Sequence, residues 1–162
     1  MAAETPTPDR PGRTEVDLEC PAVEHTVPDG VDDTTVEAVG LLSESLEMVE
    51  RARGHLYSFH QISGRADLKL GEAVERLREA GHGGVADELE RELVGRNVLR
   101  GRWTFQVVEE YDDGYWSTFR AAERSVRDRL VQGRRHLFEA TLKEDRRTHG
   151  HPDHTARPAT RE

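Results

Sequence analysis

The sequence predicts a mainly α-helical protein: a small bundle of about four helices, with one extended aromatic crossing segment and disordered termini. Three observations carry this. All seven prolines of the 162-residue chain lie outside residues 29–151, and interior prolines break helices. Within that block apolar residues recur at spacings of three and four, the period of a helix with one buried face. Glycines and capping residues then divide the block into helix-length pieces.

Residues 1–33 are rich in Pro, Thr and Asp, and read as a disordered acidic leader. Pro28-Asp29-Gly30 is a turn signal, and Thr34 with Glu37 spells a capping box, so the helical domain is expected over residues 34–147. The first helix carries the stripe Val39, Leu42, Leu46, Val49, Arg53, Leu56, His60 and Ser63, close to a heptad seam, with Phe59 and Ile62 expected to widen the face near its end. Gly64 is expected to end or kink it. A second helix follows from about Ala66 to Ala80, with Leu70, Ala73, Val74 and Leu77 on one face. Gly81-His82-Gly83-Gly84 is a strong break. A third, short helix carries Val85, Leu89 and Leu93 and stops near Gly95.

The pattern then changes. Over residues 102–108, Trp103, Phe105 and Val107 alternate with Thr104, Gln106 and Val108, which is strand-like and predicts the extended crossing segment. Asp112 or Asp113 would cap a last long helix burying Tyr115, Phe119, Ala122, Val126, Leu130, Leu137 and Ala140. Residues 148–162 read as a flexible polar tail.

Composition narrows the function classes. The net charge of −9 is concentrated in residues 1–33, which hold nine acids against two arginines; residues 34–147 hold 21 acids against 19 bases. A nearly neutral folded part disfavours general nucleic-acid binding. The first residues lack an apolar signal core, no stretch approaches a membrane span, and one cysteine, Cys20, cannot form an internal disulfide; together these point to a cytoplasmic setting. Phosphate-binding glycine loops, nucleophile elbows, zinc-type cysteine pairs and His-Glu-x-x-His are all absent.

Four clusters remain as candidate chemistry. The run from Arg102 to Trp116 holds both tryptophans, two of the three tyrosines and four carboxylates. Trp103, Phe105, Glu109, Glu110, Tyr111, Tyr115 and Trp116 are candidate ligand-binding residues there, although acids before a helix are also ordinary cap residues. Residues 115–147 carry nine bases against five acids; Arg134 and Arg135 suit an anion, a phosphate group or the protein's own acidic leader. The same excess is equally a solvated face with pairs such as Glu123/Arg127. His60, His136 and Glu139 form the alternative reading, a metal-carboxylate bundle holding iron, manganese or zinc as a metal-binding protein or oxidoreductase. Its motifs are imperfect: Glu79-Ala80-Gly81-His82 falls at a helix end, and His136-Leu137-Phe138-Glu139 is reversed. The tail histidines His149, His151 and His154 match a chelating tract only loosely. The leading expectation is a non-enzymatic interaction or small-ligand-binding module without a cofactor. It would self-associate through its coiled-coil-like first helix, or meet a protein partner or a small anionic or polar ligand.

Overall fold

A computed structural model describes residues 17–158, and they are helical as expected. They form two units: one spans Val27–Arg134, and the other joins the segment ending at Thr26 to the segment starting at Arg135. The expected disordered leader lies outside the described residues as far as position 16. No helix among the described residues is long and apolar enough to cross a membrane.

The Val27–Arg134 unit is built on one long helix, α1 (Asp33–Glu79), of 47 residues and therefore about 70 Å. Its N-cap is Asp32, whose carboxylate accepts from the Thr35 amide at 2.7 Å, two residues earlier than the Thr34 box suggested. The helix runs straight through Gly64, so the two helices expected on either side are one. A mid-helix glycine weakens a helix by only about 1 kcal/mol. The stripe on either side supplies continuous packing, and that outweighs it. A Schellman turn ends α1 where the glycine run predicted. His82 N–H bonds the Leu77 carbonyl, Gly81 N–H bonds that of Arg78, and Gly81 takes φ +86°. α2 (Gly83–Glu92) then folds back along α1. It buries Ala86 completely, while Val85 and Leu93 of the expected face are exposed. The Gly95 amide closes the hairpin on the Asp67 carboxylate at 2.8 Å.

The alternation over residues 102–108 does not give an extended segment. Leu99 and Arg102 close a tight turn through reciprocal backbone bonds, and α3 (Thr104–Tyr111) begins immediately afterwards. The Gln106 side chain accepts from the Trp103 amide at 2.8 Å, half of a capping box. Thr104 and Val108, one turn apart, face inward and are buried. Helical spacing therefore explains which residues are hidden better than alternation does. From α3 the chain passes through a π-helical turn (Asp112–Trp116) into α4 (Ser117–Val131) without leaving helical backbone angles.

This α3–π–α4 rod runs antiparallel to α1. Three polar rungs mark its register: His60 with Thr104, Arg53 with Asp112, and Ser43 with Glu123. Arg53 and Ser43 are ten residues apart on α1, whereas Asp112 and Glu123 are eleven apart on the rod. A π turn absorbs one such extra residue. It also rotates the face that follows, which corrects the expected core of the last helix. Tyr115 and Leu130 are exposed, while Glu123 and Val131 are buried. The stripe expected on α1, from Val39 to Ser63, is buried or half-buried throughout, so α3 and α4 occupy it within the chain. The heptad-like seam read on the first helix is thus filled by the chain's own helices.

The expected last helix also breaks. Gln132, Gly133 and His136 all take positive φ, and α5 (Leu137–Arg146) is separate from α4. It belongs to the second unit, with a 3-10 turn at Val23–His25. Arg147 organises that unit: its side chain is only 4% exposed. It pairs with Glu144 at 2.6 Å and with Glu19 at 2.8 Å, and donates to the Glu19 carbonyl at 2.6 Å. The Ala156 amide bonds the Leu18 carbonyl at 2.8 Å, and Arg157 reaches the Cys20 and Pro21 carbonyls. Residues near both ends thus hold one another, and Glu19 is an acidic-leader residue on an arginine of the basic stretch.

Candidate functional site

The densest polar geometry lies where the π turn meets α1. Asp112 opens that turn, and Arg53 of α1 grips it with two parallel bonds, Nε to Oδ1 at 2.7 Å and Nη2 to Oδ2 at 2.8 Å. Tyr57, one turn along α1, donates its hydroxyl to Asp112 Oδ2 at 3.0 Å and accepts from Arg53 Nη2 at 3.1 Å. Trp116 closes the turn, with the Arg53 guanidinium 4.3 Å and that of Arg120 4.8 Å from its ring. The Arg53 hydrogen bond holds the Asp112 carboxyl below its usual range, and donation to Asp112 pushes the Tyr57 phenol up. The donors and acceptors of this triad satisfy one another. The cluster clamps the π turn to α1. The Trp116 indole N–H, also buried, has no hydrogen-bond partner among the described residues.

The predicted aromatic residues separate into distinct places around that clamp. Tyr111, Tyr115 and Phe119 form a ladder at one-turn spacing, with ring centroids 5.7 and 5.8 Å apart. Tyr115 is 57% exposed at its centre. Phe105 is exposed on α3, with Glu109 one turn further on. Trp103 is partly exposed and tied down by its indole N–H, which donates to the Gly95 carbonyl at 3.1 Å. Of the four carboxylates, Asp112 is in the clamp and Glu110 pairs with Arg102. Glu109 and Asp113 stay at the surface.

The remaining candidates of the Val27–Arg134 unit, Arg134 and His60, do not join this cluster. Arg134 follows the C-terminal end of α4, so the 15-residue helix, about 22 Å long, separates it from the tyrosine ladder. Arg135 is exposed in the other unit, and its carbonyl accepts from His25 Nδ1 at 3.1 Å. His60 is half-buried on α1 with Nδ1 2.7 Å from Thr104 Oγ1, the behaviour of a hydrogen-bonded core histidine. His136 and Glu139, both exposed, lie one turn apart in the second unit with Nδ1 and Oε1 3.6 Å from each other. In the tail, His151 Nδ1 and His154 Nδ1 accept from the Asp153 and Thr148 amides, which occupies one ring nitrogen on each.

Two functional elements escaped the sequence reading. The Arg53–Asp112–Tyr57 clamp had a signal, an arginine in place of an apolar residue on the α1 stripe, but its partner lies 59 positions away. Glu123 and Arg127 were visible as an i,i+4 pair and were assigned to a solvated face. They are instead a buried pair at 3.0 Å, capped by the Ser43 hydroxyl. No family model, curated protein or solved structure matches the chain.

Proposed function

We propose that this chain is a non-enzymatic helical interaction module working in a cytoplasmic setting, with the Tyr111–Tyr115–Phe119 ladder as its recognition face for a protein partner. One observation carries the reading: a tyrosine 57% exposed at the centre of a ladder of tilted aromatic rings, beside a turn fixed by an internally satisfied clamp. Tyrosine offers large, stiff contact area with a polar end, and aromatic residues are enriched at interface centres. π turns recur at functional sites, where they re-aim side chains. The ionisable groups at the turn, Arg53, Asp112 and Tyr57, are used up in holding it. That arrangement suits positioning better than proton transfer.

Native mass spectrometry of the gently purified, untagged chain tests this, with the Tyr115→Ser variant measured alongside. The expected result is a retained partner or adduct on the wild type that Tyr115→Ser loses while its helical circular dichroism is unchanged. Identical spectra of the two, carrying nothing beyond copies of this chain, would refute the reading.

A further inference from the structure

α1 carries a second seam, beside the one that α3 and α4 fill. Leu41, Ser45, Met48, Ala52, His55, Phe59, Ile62 and Ala66 are spaced alternately by four and three over four heptads. Of these, all but the half-buried Ser45 are exposed, with Leu41 at 61%, Met48 at 56%, Phe59 at 41% and Ile62 at 64%. One large apolar residue per heptad over four heptads on an open helix face, with Ser45 and His55 as the polar positions, is a coiled-coil seam lacking its other strand. The two seams lie about 100° apart around α1. A further helix therefore fits beside the α3–π–α4 rod rather than across it.

We propose that the occupant is a second copy of this chain, with the two α1 helices packed antiparallel about a two-fold axis near Arg53. In that register each layer pairs one residue with its counterpart on the other copy: Leu41 with Ala66, Ser45 with Ile62, Met48 with Phe59, and Ala52 with His55. Three of the four layers set a large side chain against a small one, which fills space evenly, and the fourth places the Met48 thioether against the Phe59 ring. The outer flank of the seam is Glu44, Arg51, Ser58 and Arg65. The same register brings Glu44 of each copy to Arg65 of the other, so the flank is complementary to itself. A parallel dimer would face Ala52 with Ala52 and Phe59 with Phe59, leaving gaps and crowding in turn, and would lose the Glu44–Arg65 pairs. Self-complementarity under a two-fold axis is what an isologous interface requires.

This deepens the interaction-module reading but uses a different surface, so the two fail separately. In a Cys20→Ser background of the full chain, Ser45→Cys with Ile62→Cys should give a covalent dimer on mild oxidation. The two positions are about 25 Å apart on one helix, so no bond can form within a chain. Neither single cysteine should cross-link. In sedimentation of the wild type, Ile62→Asp should weaken dimerisation on the order of 100-fold or more, with helical content kept because the position is exposed. Tyr115→Ser should leave the dimer intact. Cross-linking by either single cysteine would overturn the antiparallel register, and a wild type that sediments as a monomer at high concentration would overturn the dimer.

Discussion

Replacing Arg127 by Met should be among the most damaging changes to the Val27–Arg134 unit. Arg127 is 16% exposed and Glu123 7% exposed at their side chains, and they meet at 3.0 Å. Removing the guanidinium leaves a buried carboxylate with only the Ser43 hydroxyl for a partner. Breaking a buried pair from one side costs about 3–5 kcal/mol. Arg127 also donates from Nη1 to the Gly133 carbonyl at 2.7 Å, one of the acceptors left over at the end of α4, which adds about 1 kcal/mol. The expected loss is therefore about 4–6 kcal/mol, or roughly 15–25 °C in Tm for a unit of this size. Urea unfolding followed by helical circular dichroism measures it. Adding Glu123→Gln to Arg127→Met should recover about 2 kcal/mol or more, since it removes the stranded charge and leaves the lost cap. A single-variant loss under about 1 kcal/mol, or no recovery in the double variant, would show that the pair is not buried as described.

Two further outcomes follow from the same geometry. Gly64 sits mid-helix in α1, and an added Cβ there meets nothing within 4 Å, so Gly64→Ala should stabilise by about 0.5–1 kcal/mol; a lower urea midpoint would refute a continuous helix at that point. The Asp112 carboxyl is held below its usual value of 3.8 chiefly by the Arg53 hydrogen bond, so its contribution is present above that value and lost as pH falls through the lower, folded one. Asp112→Asn should flatten the acid limb of stability against pH below about 3.8, and an unchanged limb would show that the clamp does not couple to folding.

What the sequence made legible was periodic. Val39 to Ser63 repeat every three or four residues, and that stripe is buried or half-buried, although Phe59 and Ile62, expected to widen it, are exposed. Gly81 marked a turn because a positive φ at the end of a helix favours glycine. The misreadings share a physical cause. Gly64 lowers helix propensity, but propensity is a weak prior against packing on both sides of it. Trp103, Phe105 and Val107 alternate in a stretch too short to separate the two periods. Tertiary contacts decided it, with Thr104 meeting His60 and Asp112 meeting Arg53 across long sequence separations. The π turn has no sequence signature of its own. Its one-residue rotation turned the expected core residues Tyr115 and Leu130 outward and Glu123 inward.

The thinness of the core explains why charge appears in it. The buried apolar side chains of the Val27–Arg134 unit are mostly valines, with an alanine, and such a surface specifies register poorly because one valine layer resembles the next. Along the α1–rod seam the polar rungs supply what the valines lack. His60 fits only Thr104, the Arg53 fork fits only a carboxylate, and Ser43 with Arg127 fits only Glu123. A shift of one residue would strand all three rungs at once, each leaving a hidden polar group unsatisfied. The same logic separates the two seams of α1. The one that holds its own chain is marked by polar rungs buried or half-buried along it. The exposed one sets one large apolar residue in each heptad, Leu41, Met48, Phe59 and Ile62, among small and neutral polar ones, with acid and arginine only on its flank, which is the form that the proposed pairing of two copies requires.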